Sequence, residues 1–504
     1  MKDKNDIKKA CENLADNDIA QYQDDSTEII SNLFHLFDDY GYAKVLAALS
    51  STRTIAQTLD LFEKIEWNQD NPKKIKTIGT HYRRMYNGGV EIVLASLMRL
   101  WVNMGYRVVL FTDEEANKLD YPYPSEVKRI VIPLENDMLN RLSTLENSIL
   151  KEEIDVFVNH VWINRSVVYE NILCRLLHIP YIVHIHGLYT AICESVNYCY
   201  DSYRVFRQCS LVVSLSEISA KYYQMCGCNS YLVQNPIPDK LQNIDASEFD
   251  KRCGNKHILW IGRIADGKRI EDAIECFRLV KNDVSDAVLD VVGTGNVEDI
   301  CRIKERCIRY QLGDSVIFHG YKEDTTRYYM NSALMLMTSE REGYPTVLLE
   351  SKAYGLPCVM YSLPYLTMVQ DKKGIFTTDI GNISKLAEHV VTILRDDELR
   401  KKLSSESRES FEFLKAYDLQ AVWREIFALS QGNQTVETSE RHYDPNVVPE
   451  SETEMLPMLI DEYKSNAQNM IVNNFDYKVG HMILKFPRVV LRGLRRLKHT
   501  LVSR

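Results

Sequence analysis

The chain has 504 residues, more than one ordinary domain and enough for two or three. Hydrophobic residues make up 45% and charged residues 26%, the balance of a globular protein able to bury a core. A formal net charge of -9 works against a nucleic-acid binder, whose phosphate affinity needs a basic face.

Residues 1–75 read as a helical extension. Asp25 and Glu28 have capping-box spacing, and Ile29, Leu33, Phe37 and Tyr40 repeat at helical intervals. The start, Met1 to Asp6, is charged and lacks an apolar signal core, and no apolar run reaches the ~18 residues of a membrane span. The expected location is therefore cytoplasmic. The twelve cysteines are scattered without C-x2-C spacing; Cys226 and Cys228 form a lone C-x-C, and reduced thiols are expected.

From Lys76 short apolar runs alternate with helix-length segments. The runs are Lys76 to Gly79, Arg107 to Phe111, Arg129 to Ile132, Asp155 to Asn159, Tyr181 to Ile185, Leu211 to Leu215 and Tyr231 to Val233. Buried parallel strands in βα units have this texture. They predict a doubly wound domain over 76–245, closing near Asn235-Pro236-Ile237-Pro238. A second series predicts another such domain over 246–430: His257 to Ile261, Ala287 to Val292, Ser315 to Phe318, Ala333 to Met337 and Pro357 to Tyr361. Ligands of such folds bind beyond the carboxyl ends of the strands, so a cleft between two domains is the expected site.

Residues 431–455 are polar and read as a linker. The segment 456–504 resumes helical texture, and after Asp476 it carries no acidic residue. Within 478–504, Lys478, Lys485, Arg488, Arg492, Arg495, Arg496, Lys498 and Arg504 interleave with apolar residues. A basic amphipathic helix of this kind fits an anionic membrane surface, on the inner face of the cell membrane; packing on its own domain is the alternative.

The strongest chemical signal is Ser339 to Pro357. A strand leads into Gly343-Tyr344-Pro345, and a helix begins near Pro345 and Thr346. Backbone N–H groups at that start can receive a diphosphate. Glu342 lies on the loop and Glu350 about two turns along, so the two carboxylates can accept from the sugar and ribose hydroxyls. After the strand that opens the second domain, Gly262 permits a sharp turn, and Arg263 and Lys268 set two cations on one loop, suited to a diphosphate leaving group. Gly88 and Gly89, between the first strand and the first long helix, allow close backbone approach. His184 and His186 share one face of their strand, and His160 closes another strand as a weaker cleft candidate. Gly293-Thr294-Gly295 and His319-Gly320-Tyr321 each follow a strand. No D-x-D pair stands where a manganese-dependent transferase would hold metal and diphosphate, so no metal site and metal-independent catalysis are expected.

The string from Glu342 to Glu350 resembles the E-x7-E signature of family 4 glycosyltransferases, which have the GT-B fold and retain anomeric configuration. The Gly262-Arg263 to Lys268 spacing fits the same family, and the resemblance covers roughly residues 77–430. It implies two Rossmann-like domains facing a cleft and transfer of a sugar from a nucleoside diphosphate donor, a UDP-sugar, to a glycan or lipid-linked acceptor. No further cofactor is implied. By the same resemblance Glu342 contacts the donor sugar and Glu350 the ribose, with Arg263 and Lys268 on the diphosphate. Gly88 and Gly89 would face the phosphates and acceptor, His186 the sugar, Gly293 and Gly295 the nucleotide, and Gly320 the base edge. A non-catalytic partner subunit of the same fold is the alternative.

Overall fold

The computed structural model describes residues 73–86, 88–133, 138–161, 166–188, 206–225, 227–244 and 254–432. The N-terminal extension over 1–72, the linker after 432 and the basic segment 478–504 lie outside the described residues, as does Cys226. Among the described residues, no helix is long and apolar enough to cross a membrane.

Seven parallel strands form the first sheet: β1 (Thr77–His81), β2 (Arg107–Thr112), β3 (Lys128–Val131), β4 (Val156–Asn159), β5 (Tyr181–Ile185), β6 (Leu211–Ser214) and β7 (Ser230–Leu232). Their spatial order is β3-β2-β1-β4-β5-β6-β7. The second sheet holds six: β8 (His257–Ile261), β9 (Val288–Val292), β10 (Val316–Gly320), β11 (Leu334–Met337), β12 (Cys358–Tyr361) and β13 (Ile375–Thr378), in the order β10-β9-β8-β11-β12-β13. Both reverse direction of winding beside their first strand, the doubly wound arrangement. The central strands β1, β4, β5 and β11 are buried throughout, which is why they read as unbroken apolar runs. Strand β13 has no counterpart among the apolar runs of the sequence. Ile375-Phe376-Thr377-Thr378 is only partly buried at the sheet edge, and its short run follows two lysines and a glycine.

The range 246–430 does not stay on one domain. Its last helix, Leu419–Ser430, returns to the first. There Trp423 stands edge-on to Trp101 at 4.9 Å between ring centroids, Phe427 meets Tyr106 at 5.4 Å, and Tyr231 Oη donates to Glu425 at 3.0 Å. Asp418 starts this helix by accepting from the Ala421 N–H, an ordinary side-chain cap.

A buried charge cluster stiffens the first sheet. His81, at the end of β1, meets Glu170 Oε1 at 2.7 Å and Asp113 Oδ1 at 3.1 Å. Arg141 pairs with Asp113 at 2.5 Å, while Asn159 and Tyr181 donate to Glu170. Burial works to lower the His81 pKa, but the Glu170 carboxylate and the two hydrogen bonds outweigh it and lift the value from 6.5 to about 9. One imidazolium and one guanidinium thus balance two carboxylates. A folded-state pKa above the unfolded one stabilises fully below pH 6.5 and ceases to do so as the pH rises through about 9. A tenfold change in proton affinity is worth ~1.4 kcal/mol. Chemical denaturation should therefore show a loss on the order of 3 kcal/mol between pH 6.5 and about 9, and His81→Gln should flatten that slope.

Candidate functional site at the strand ends

Among the described residues, the glycine loops after β8, β9 and β10 and the loop carrying Glu342 lie at the carboxyl edge of one sheet, because all of its strands run parallel. In the second domain the loops after β8, β9, β10 and β11 are tied to one another by backbone contacts. Gly262 N donates to Val292 O at 3.0 Å, Ile264 N to Thr294 O at 2.8 Å and Gly293 N to Gly320 O at 2.9 Å. A Cβ on Gly293 would stand 1.9 Å from Gly262 O, and one on Gly295 would stand 2.2 Å from Ile264 O. These two glycines are thus demanded by the packing of one loop on the next, and φ of 138° at Gly293 adds a conformational demand. Gly320, with φ of 68°, has open space around its Cα.

The 3-10 turn Asp266–Lys268 brings Lys268 Nζ into an ion pair with the Glu342 carboxylate. Glu340 N donates to Gly267 O at 3.2 Å, and Thr338 Oγ1 to Lys268 O at 2.9 Å, so the loops carrying the two partners are sewn together. Glu342 N also donates to Tyr365 Oη at 3.3 Å, a support the sequence did not signal. Arg263 is exposed and has no ion-pair partner among the described residues. The helix Thr346–Ala353 has Pro345 as its N-cap, and Gly355 leaves it with φ of 58°. Pro345 O accepts from Leu348 N, whereas the Thr346 and Val347 N–H groups precede any intrahelical acceptor and point out of the helix start. Tyr344 is buried beside them.

Glu350 reaches across the chain. Its carboxylate pairs at 2.7 Å with Lys240, on the 3-10 turn Asp239–Leu241 that follows the first domain. Burial opposes the charge on Lys240, and Glu350 more than restores it, raising the ammonium pKa. Lys240 had no motif around it, so sequence spacing could not find it.

The first domain meets this group directly. A Cβ on Gly343 would lie 3.0 Å from His186 O and from the Gly187 carbonyl carbon, so any larger residue would ask loop 339–345 and the exit of β5 to part by a few tenths of an ångström. His186 is partly exposed there, and its Nε2 lies 2.7 Å from His160 Nδ1. Burial pushes the His186 pKa down to about 3 and those of His160 and His184 well below 6.5. The group is neutral near pH 7. His184, on the same face of β5, completes a set of three imidazoles whose nitrogens lie within 4.8 Å of one another, an arrangement that could hold a metal ion. Gly88 is the extended N-cap of the helix Gly89–Asn103, with the Glu91 carboxylate folded against it; Gly89 faces open space.

The glycine contacts separate two roles. Gly293→Ala should lower stability by about 3 kcal/mol or more, through overpacking and backbone strain together, whereas Gly320→Ala should cost only about 1 kcal/mol. Equilibrium denaturation of the two variants measures the difference.

Two family models match adjoining parts of the chain: Glycosyltransferase Family 4 over residues 87–240 and Glycosyl transferases group 1 over 242–410. Among curated relatives, N-acetyl-alpha-D-glucosaminyl L-malate synthase of Bacillus anthracis is 28% identical over 171 residues, 33% of this chain and 44% of that protein. Poly(glycerol-phosphate) alpha-glucosyltransferase of Bacillus subtilis is 25% identical over 203 residues, 40% of this chain and 28% of that protein. The chain thus spans less than half the length of these relatives. Among solved structures, Anabaena Alr3699/HepE in complex with UDP and glucose superposes with a TM-score of 0.59 at 15% identity, over 70% of this chain and 98% of that one. The first match covers strands β2 to β7 and the second β8 to β13, and the chain belongs to the family 4-type glycosyltransferases of the GT-B fold.

Proposed function

We propose that the protein transfers a hexose-type sugar from a UDP-sugar to a hydroxyl of a glycan or lipid-linked acceptor in cell-envelope or polysaccharide synthesis, with retention of anomeric configuration. The observation that carries this reading is the Lys268–Glu342 ion pair at the mouth of the cleft, beside the Gly343–Gly187 contact. A nucleotide sugar offers the complement of that pair: a diphosphate for the ammonium and sugar hydroxyls for the carboxylate. The poly(glycerol-phosphate) glucosyltransferase and the UDP-bound Anabaena neighbour support the substrate class.

In this scheme Glu342 and His186 orient the sugar, and Glu350 accepts from the ribose hydroxyls once Lys240 yields. Arg263 and Lys268, with the free N–H groups of Thr346 and Val347, stabilise the diphosphate as the glycosidic C–O bond breaks. The acceptor oxygen bonds to the anomeric carbon on the face the diphosphate leaves, and its proton passes to the departing phosphate oxygen. Because Arg263 and Lys268 supply the positive charge, the diphosphate needs no divalent ion. Neutral His186 can donate or accept a hydrogen bond at the sugar without bringing a charge to the developing oxocarbenium. The basic stretch 478–504 would draw the enzyme to an anionic membrane, where lipid-linked acceptors reside.

The test is nucleotide-sugar binding and hydrolysis by purified protein, across a panel of donors with EDTA present. One donor should release its nucleoside diphosphate slowly. Glu342→Ala should reduce that rate by about 100-fold or more, and Lys268→Ala should do likewise, in keeping with the ~3 kcal/mol that one preorganised transition-state contact supplies. If no donor in the panel binds the wild-type protein, the transferase reading is wrong and a non-catalytic partner subunit replaces it.

A further inference from the structure

The donor scheme uses one histidine of three. His184 lies in β5 and His186 comes directly after its last residue, and His160 follows β4, the neighbouring strand in the sheet. The ring centroids stand 4.3 Å apart for His184–His186, 5.0 Å for His160–His186 and 5.2 Å for His160–His184. Apart from the His160–His186 contact, the buried nitrogens lack partners: His160 Nε2 and both ring nitrogens of His184 make no hydrogen bond. His160 and His184 are each 1% exposed, so bulk water does not serve them. Native interiors rarely leave so many polar atoms unpaired in one place. The carboxylates of this region do not answer them either, since Asp113 and Glu170 are engaged with His81. Trp101 and Trp423 wall the group, at 6.4 Å from His160 and 5.9 Å from His184 between centroids.

We propose that His160, His184 and His186 bind one divalent transition-metal ion of the zinc class, and that the bound ion withdraws His186 from the donor sugar. Neutral imidazole is a preferred ligand for such ions, and three protein ligands with one open position is a known zinc arrangement. Zinc–nitrogen bonds of about 2.0–2.1 Å in tetrahedral geometry place nitrogens ~3.3 Å apart. The observed spread of no more than 4.8 Å closes to that by small side-chain rotations. His186, the partly exposed member, sets the open position toward the cleft, which also provides the way in. The site is distinct from the diphosphate ligands Arg263 and Lys268, so the ion inhibits rather than assists. Binding is reciprocal: zinc weakens the donor by the factor by which the donor weakens zinc. The inhibitory consequence rests on the reading of His186 as a sugar contact, whereas the ion site does not.

The experiment uses the full chain without a purification tag. Titration with zinc chloride against a chromophoric chelator should show one tight ion per chain. Cobalt(II) should give the intense visible absorption of a four- or five-coordinate nitrogen site and quench tryptophan emission through Trp101 and Trp423. His184→Asn should weaken zinc at least tenfold. Micromolar zinc should slow hydrolysis of whichever nucleotide sugar turns over, with recovery on adding EDTA and loss of the effect in the variant. A stoichiometry below one, undiminished zinc affinity in a folded His184→Asn, or a weak octahedral cobalt spectrum overturns the site. The cobalt spectrum of the wild type decides the matter should the variant not fold. Tight zinc with unchanged donor turnover overturns the inhibition alone. A bound ion with no donor binding in EDTA leaves the site standing and removes the transferase reading.

Discussion

The rest of the cleft depends on one close approach, that of the Gly343 backbone to the His186–Gly187 peptide. Loop 339–345 leaves β11 of the second sheet, and His186 leaves β5 of the first, so this contact joins the carboxyl edges of two independently wound domains. A Cβ at 343 would press on that peptide at 3.0 Å and ask the two loops to shift by a few tenths of an ångström. With glycine there, the Lys268–Glu342 pair, the start of the helix Thr346–Ala353 and the three imidazoles all come within one cleft wall of each other. The helix Leu419–Ser430 packs against the first domain, setting Trp423 edge-on and Phe427 tilted against Trp101. Its apolar seam belongs to a core cluster that runs from the first sheet through Met335, Met337 and Leu348 of the second.

Two histidine environments in one sheet show how local electrostatics sets chemistry. His81 lies between two carboxylates and is held as an imidazolium, so it works as structure. His186, just beyond the end of another strand of the same sheet, has burial and no counter-charge, and is held neutral. The difference comes from Asp113, just after β2, and Glu170 of the helix Ser166–Leu176, which meet His81 and neither His184 nor His186. On the donor side each expected anion ligand likewise has its counter-charge: Glu342 has Lys268, and Glu350 has Lys240. Such pairs hold the side chains in place while remaining exchangeable, because both lie near solvent at the cleft rather than in the core.

The sequence by itself determined the architecture and pointed to a candidate donor site. Parallel strands buried on both faces must be apolar throughout, so the central strands declared themselves by composition, and of the thirteen only the partly buried edge strand β13 did not. Glu342 with Glu350, and Arg263 with Lys268, could be singled out because each pair is local in the chain. Tertiary structure alone decided what is not local. It showed that Gly293 and Gly295 serve the packing of one loop against another, that Lys240 is the partner of Glu350 from 110 residues away, and that the helix ending at Ser430 returns to the first domain. It also joined His160 to His184 and His186. The physical reason is common to all four: a parallel sheet brings successive strand ends to one edge only after a crossover helix has intervened, so the residues that meet there carry no fixed spacing in the chain.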